Sequence, residues 1–301
     1  MNLLALLLGL ALERLLTSLL HLREPRWFDR YFDWGLRHFG GGSGAAVLLT
    51  LLFWLLPVVP VALVAAAFGE HLLGLPYLAF ATLVLIFSLG PRDLVAEVED
   101  YCDAVERGDP QEAVARATAL LEDDASRRSG PVREALAEAV LAQSNNRIFG
   151  VIFWFMVLGP SGAWLYRVSD LLRRRAVFES RRQELSQANE HAYVRTAQSV
   201  HRWLSWLPAR VTALFFPLAG SFDDAITGWR AYFGRATEQF FDANDQILVY
   251  VGRGALRLAE TAASGTSTEV EAVRAALRLV QRTLVVWLVL LSALTLVGWL
   301  A

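Results

Sequence analysis

The sequence contains no lysine, and all 28 of its basic residues are arginine. Chemistry that needs a lysine amine, such as a Schiff base or the lysine of a phosphate-binding loop, is therefore excluded. The single cysteine, Cys102, excludes an intrachain disulfide and a cluster of thiolate metal ligands. The five histidines are scattered without metal-site spacing, and signatures of nucleotide-binding loops and serine hydrolases are missing. We therefore expect no catalytic residue, metal or cofactor.

Charged residues are also scarce. They make up 19% of the chain, whereas hydrophobic residues make up 55% and the mean hydropathy is +0.38. Together with several long uncharged runs, this composition is typical of proteins that cross a bilayer several times. The formal net charge of −2 gives no support to nucleic-acid binding. The expected partner is the lipid bilayer, and no nucleic acid is expected.

Apolar runs of helical length predict about four to five membrane segments, and no strand pattern of useful length appears. We predict an all-α polytopic membrane protein with broken or re-entrant helices and a cytoplasmic helical segment. The predicted regions are 1–90 as an N-terminal membrane region (a helix over 1–20 and spans near 45–68 and 72–90), 91–147 as a polar helical segment, 148–220 as a broken-helix membrane region, 221–282 as an amphipathic helical segment, and 283–301 as a C-terminal transmembrane helix.

The stretch 145–170 is the most informative of these. Residues Ile148 to Tyr166 carry no formal charge over a length that could cross a bilayer. Gly159-Pro160-Ser161-Gly162 interrupts this run, and proline removes a backbone donor. A broken apolar helix with polar ends is either an ordinary kinked span or the wall of a site at membrane depth.

The flanks of this stretch conflict over the side of the membrane on which they lie. The arginine-rich residues 167–202 should be cytoplasmic. If 91–147 is also inside, a single crossing would leave the arginines outside. A re-entrant hairpin folded at 159–162 would keep both flanks on one side, and we take this as a hypothesis.

Polar residues beside membrane segments are the candidate binding residues, because ionisable groups at such depth are functional candidates by default. We expect Arg167 or Arg210 to pair with Asp170 or Glu13. Each residue could instead be an anchor at a helix end. The candidates are Glu13, Arg14, Glu138, Asn145, Asn146, Arg147, Arg167, Asp170, Pro208 and Arg210.

Two motifs, FW…LGPSGAWLYR at 153–167 and WLPARVTAL at 206–214, resemble the AmpE family. So do the Glu13-Arg14 pair, GPRDL at 90–94 and the GD-x-x-x-A turn at 108–113, and the resemblance covers essentially the full length. It implies an inner-membrane regulatory modulator associated with β-lactamase induction. AmpE-like proteins are distant relatives of the CobD/CbiB cobalamin-biosynthesis proteins, which join an aminopropanol unit to adenosylcobyric acid.

Departures from the CobD/CbiB pattern favour the regulatory branch. The resemblance implies an E-S-x-x-E-N-x-x-D-G run in the synthases, and most of its acids are replaced here. Carboxylates are the groups that would hold Mg²⁺ for phosphoryl or acyl-phosphate chemistry. The departures are Ala142 and Gln143 for E-N, Asn146 and Arg147 for D-G, Asp170, Leu171 and Arg173 for the N, T and D that follow Y-R in the synthases, His201 and Arg202 for paired acids, and Ser205 for an asparagine.

The sequence therefore predicts a non-catalytic, AmpE-type regulatory or sensory protein of the bacterial inner membrane. Its broken helix and P-A-R segment would line a pocket for a polar or anionic envelope-derived ligand, with Arg147, Arg167 and Arg210 as charge donors. Residues 91–141 would face a cytoplasmic protein partner. The alternative is a CobD/CbiB-like adenosylcobinamide-phosphate synthase activity.

Overall fold

The computed structural model describes residues 1–16, 26–39, 44–68, 74–89, 94–121, 132–186, 192–235, 243–256 and 269–297. Within these ranges the regular structure is helical and contains no strand, which confirms the predicted all-α fold class. Some parts of the predicted segments, such as 17–20, 69–73 and 298–301, lie outside the described residues.

The helices fall into two compact units. The first contains the described residues of 1–91 and 150–205, and the second those of 92–149 and 206–299. In chain order the elements are α1 (Asn2–Leu16), α2 (Arg26–Phe39), α3 (Gly44–Leu55), α4 (Val58–Phe68), α5 (Leu75–Ser88), α6 (Leu94–Glu106), α7 (Pro110–Leu121), α8 (Val132–Ser144), a π-helical turn (Asn145–Phe149), α9 (Gly150–Ser186), α10 (Ala192–Ala219), α11 (Phe222–Arg235), α12 (Ala243–Ala255) and α13 (Glu269–Leu296).

Two helical stretches of the described chain, Glu134–Phe178 and Val270–Leu296, are long and apolar enough to cross a membrane by length and composition. Helices α3 and α4 meet at 41° and form a third candidate if they are counted as one broken span. The apolar helices α1 and α5 are shorter than the roughly 20 residues that a perpendicular crossing needs. The four to five predicted segments thus correspond to two or three long candidates and these shorter helices.

Helix α9 reverses direction at Gly159, although its hydrogen bonding is helical on both sides. Gly159 has φ 65° and ψ −152°, a conformation that is essentially restricted to glycine. A Cβ atom on Gly162 would lie 2.2 Å from the Trp154 carbonyl oxygen, and one on Gly150 would lie 2.3 Å from the Tyr166 ring. In a straight helix residues 150 and 166 would be about 24 Å apart, so α9 is a helical hairpin.

The two arms of this hairpin are residues 150–158 and 160–186. Pairs in contact across it, 150 with 166 and 154 with 162, are centred on the turn, as the two arms of an antiparallel pair must be. The backbone therefore folds back at the place where the hairpin hypothesis put the turn. Glycine is needed at positions 150 and 162 because a side chain there would separate the arms.

Helices α2, α3 and α10 surround the longer arm of α9 with an aromatic core. Trp54 donates an indole N–H to Tyr193 Oη at 3.0 Å, and Arg175 forms a two-pronged ion pair with Asp33 at 2.9 and 3.1 Å. These contacts fix α2 and α10 against residues 168–176. The buried members are Phe28, Phe32, Trp54, Val58, Val168, Leu172, Ala176, Tyr193, Val194 and Ala197.

In the second unit, α11 and α12 approach closely enough that a Cβ on Gly228 would lie 2.2 Å from the Tyr250 carbonyl oxygen. Helix α7 begins with a cap, since Asp109 Oδ1 accepts hydrogen bonds from the backbone N–H groups of Gln111 and Glu112. The carboxyl-terminal helix α13 is joined to α6 by Arg274, which pairs with Glu99 and Glu106.

We predict that Gly162→Ala destabilises the protein by about 1–3 kcal/mol, because the added methyl group overpacks a backbone contact between the arms. The matched control is Ser161→Ala, at the adjacent, half-buried position. Thermal unfolding of the two variants in detergent measures the difference. Equal midpoints for both variants would contradict the close approach.

Burial raises the pKa of the Cys102 thiol to about 11. The unfolded chain ionises first, so the free energy of unfolding should fall as the pH rises from about 9 towards 11.

The thiolate is the nucleophile in alkylation, so we predict that iodoacetamide alkylates folded Cys102 slowly at pH 8. Mass spectrometry measures the rate. A Cys102→Ala, Asp103→Cys variant, with its thiol at an exposed position, should react quickly; equal rates would contradict the prediction.

Candidate functional site

Five polar side chains are buried together in the first unit. Tyr166, Ser169 and Asp170 follow the hairpin turn on α9, and His201 and Ser205 lie on α10; each is at most 3% exposed. Residues three and four positions apart share one face of a helix. The spacings 166, 169, 170 and 201, 205 therefore present one polar face of α9 to one polar face of α10.

Four of these side chains form a continuous series of hydrogen bonds, which we call the hydroxyl–imidazole relay. Tyr166 Oη lies 2.7 Å from Ser205 Oγ, and Ser205 Oγ lies 3.1 Å from His201 Nε2. On the other side of the ring, His201 Nδ1 lies 3.0 Å from Ser169 Oγ, which donates to the Tyr166 carbonyl oxygen at 2.7 Å. The relay thus begins at the phenol of Tyr166 and ends at the main chain of the same residue.

Proton counting gives this relay a direction. The single hydroxyl proton of Ser169 is donated to the Tyr166 carbonyl, so Ser169 Oγ can only accept from His201 Nδ1–H. In the neutral imidazole the other nitrogen, Nε2, is then an acceptor, and it receives the hydroxyl proton of Ser205. Ser205 Oγ in turn accepts from Tyr166. The arrangement makes Nε2 the basic atom of the site.

Asp170 is fully buried and surrounded by guanidinium groups. Its oxygens lie 3.0 Å from Arg167, 3.0 Å from Arg173 and 2.9 Å from Arg174. The expected pair of Arg167 and Asp170 is thus present. A carboxylate with no access to water is stable only with such partners, so Asp170 and its arginines form one charged cluster on the longer arm of α9.

The remaining candidate pair of the first unit lies on α1. Glu13 is half-buried, and the side chain of Arg14 lies outside the described residues. Neither the acid nor the helix is part of the hydroxyl–imidazole relay.

The other candidates belong to the second unit. Asn145, Asn146 and Arg147 occupy the π-helical turn, a distortion often found at functional sites, and all three are buried. Arg147 pairs with Glu97 at 2.5 Å and donates to Gln143 at 3.1 Å. This ion pair places a counter-charge on the arginine within its own unit.

Glu138 and the P-A-R segment also have partners within the second unit. Glu138 pairs with Arg253 at 2.5 Å, while Arg210 donates to Asn244 Oδ1 at 2.9 Å and stacks on the Trp206 ring at 4.3 Å. Pro208 is buried inside helix α10. Of the three arginines predicted to hold a ligand, Arg167 belongs to the first unit and Arg147 and Arg210 to the second.

A magnesium ion, which synthase chemistry would call for, does not fit the residues described. In those ranges no group of three or more histidines, cysteines and acids is placed to hold a metal. The oxygens of Asp170 are already bonded to three guanidinium groups. We therefore derive no step through a metal ion.

The four relay residues are not among the candidates predicted from the sequence. His201 and Ser205 enter there only as departures from the synthase pattern. Their i, i+4 spacing, opposite the i, i+3 spacing of Tyr166 and Ser169, was the signal that could have identified them as one cluster.

We predict that Asp170→Asn destabilises the protein by about 3 kcal/mol, because three guanidinium groups lose their buried counter-charge. Asp29→Asn, at an exposed position of α2, is the control. Thermal unfolding in detergent measures both variants. Unfolding of Asp170→Asn at the control's midpoint would contradict a structural role for the cluster.

The comparisons with known proteins agree with one another. Residues 6–281 match the family described as CobD/Cbib protein. The chain is 29% identical over 217 residues to the cobalamin biosynthesis protein CobD of Stutzerimonas stutzeri, covering 67% of this chain and 65% of the relative. It is 30% identical over 177 residues to the protein of the same name from Chromobacterium violaceum, covering 58% and 52%. The aligned part is less than two thirds of either relative, and no solved structure matches.

These matches correct the functional prediction. The expectation of an AmpE-type regulator of β-lactamase induction is wrong, because the family and both relatives are of the CobD type. The motifs at 153–167 and 206–214 encode a helical hairpin and a proline-containing helix. Such features mark a shared scaffold and do not separate its branches. This chain is a membrane protein that belongs to the CobD/CbiB family.

Proposed function

We propose that this chain acts in cobalamin biosynthesis, as a multi-pass protein of the bacterial inner membrane. The observation that supports this most directly is the family match over residues 6–281, which includes both helices of the hydroxyl–imidazole relay. The proposed activity is of the adenosylcobinamide-phosphate synthase type, in which an aminopropanol unit is joined to a carboxyl group of adenosylcobyric acid.

The chemistry of the relay suits this class of reaction. Forming an amide from an amine and a carboxyl group requires that protons leave the nitrogen, and general bases are commonly imidazoles. His201 Nε2 accepts from the hydroxyl group of Ser205, which in turn accepts from the phenol of Tyr166. The imidazole and hydroxyl at positions where the resemblance implies acids and an asparagine therefore change the chemistry of the site and do not remove it.

The test is growth of a bacterial strain that lacks its own synthase and depends on added cobinamide. We expect the full chain, expressed in the membrane, to restore growth without cobinamide. His201→Ala should abolish this rescue, because the relay loses its only base. Ser199→Ala, at an exposed position on the same helix, should rescue like the natural sequence.

Membrane fractions are probed for each variant, so that rescue is compared at equal amounts of protein. If the natural sequence reaches the membrane and growth still requires cobinamide, the proposed function is wrong. Rescue by His201→Ala at full strength would leave the cobalamin assignment in place and remove the relay from it.

A further inference from the structure

We propose that His201, acting through Ser205, removes the proton that an amine substrate must lose before it can form an amide bond. The inference rests on the proposed function and assigns residues to one step of it. An alkylammonium ion has a pKa of about 10 and is not nucleophilic, so it must be deprotonated at the site to react at neutral pH.

The geometry of the relay gives each atom its part in this transfer. Nε2 of His201 is held as an acceptor because Nδ1–H is committed to Ser169, 3.0 Å away. Ser205 Oγ, 3.1 Å from Nε2, gives its proton to the imidazole and can accept one from another donor. His201 therefore acts on any donor bound at Ser205 and need not touch it.

The phenol of Tyr166 now occupies the donor position at Ser205. Its oxygen lies 2.7 Å from Oγ, the distance of a hydrogen bond between hydroxyl groups. An ammonium N–H has the same donor role and forms a slightly longer bond. We infer that the substrate nitrogen takes the place of the phenol, so that Tyr166 holds the relay in order until the amine binds.

The room for this phenol is made by the hairpin itself. The Tyr166 ring lies against Gly150, where a Cβ would be 2.3 Å from the ring carbon that carries the hydroxyl group. The ring is thus held between the shorter arm of α9 and Ser205 of α10.

The proton balance is simple. The ammonium nitrogen gives one proton to Ser205 Oγ, and Ser205 gives its own to His201 Nε2, so a neutral amine and an imidazolium are formed. No bond to carbon changes in this step and no electrons are transferred. The proton returns to water after the product has left.

Asp170 of α9 is the charged group that interacts electrostatically with the imidazole. Arg167, Arg173 and Arg174 surround that carboxylate.

The experiment measures amide formation as a function of pH in membranes that contain the full chain, with aminopropanol phosphate, adenosylcobyric acid and a nucleoside triphosphate that activates the carboxyl group. We expect the activity of the natural sequence to fall as the pH is lowered, because a protonated imidazole cannot accept a proton. His201→Gln, which can still hydrogen-bond to both serines, should be at least about 100-fold slower at pH 7. Its rate should recover above about pH 9.5, because the amine then loses its proton to water.

Recovery at high pH separates a base from a residue that only supports the fold. If His201→Gln is equally impaired at every pH, or has the pH profile of the natural sequence, the inference is overturned. Ser205→Ala should behave like His201→Gln, and Ser199→Ala should match the natural sequence. A natural sequence with no activity at any pH would refute the proposed function and this inference with it.

Discussion

The close approach of the two arms of α9 is the contact on which the first unit depends. It requires the turn conformation of Gly159 and the absence of side chains at Gly150 and Gly162. Because the arms touch, Tyr166 reaches the level of Gly150 and its phenol meets Ser205. A straight helix of the same sequence would carry the phenol about 24 Å away from position 150 and leave the relay without its first member.

Burial of Ser169 and Asp170 requires that each has hydrogen-bond partners within the protein. Where water is excluded, every donor and acceptor has to be satisfied within the protein. Ser169 donates its hydroxyl proton to the Tyr166 carbonyl oxygen. Its oxygen can therefore only accept from His201 Nδ1–H, which fixes the imidazole tautomer and the direction of the remaining hydrogen bonds. Asp170 is satisfied by guanidinium groups instead. Two adjacent residues thus belong to two hydrogen-bond networks, one built on hydroxyl groups and an imidazole and the other on a carboxylate and guanidinium groups.

The sequence was sufficient to predict the helical fold, the break at Gly159-Pro160 and, as one of several expected pairs, that of Arg167 with Asp170, because each follows from local chemistry or from the cost of burying a charge. It was not sufficient to predict the relay. The partners of Tyr166 and Ser169 lie more than thirty residues along the chain, on α10, and their meeting depends on how far the hairpin closes. The close approach depends on Gly150, which contacts the Tyr166 ring. A glycine in an apolar run does not by itself predict such a contact.

The error in the functional prediction has a physical cause as well. The missing carboxylates favoured the AmpE branch over the CobD/CbiB branch, since acids are the ligands of Mg²⁺. Carboxylates, however, supply only part of what an amide-forming site needs, and a proton acceptor is a separate requirement. An imidazole with one nitrogen committed to Ser169 and the other facing Ser205 meets that requirement. Exchanging acids for such a pair changes which groups of the scaffold can donate and accept protons.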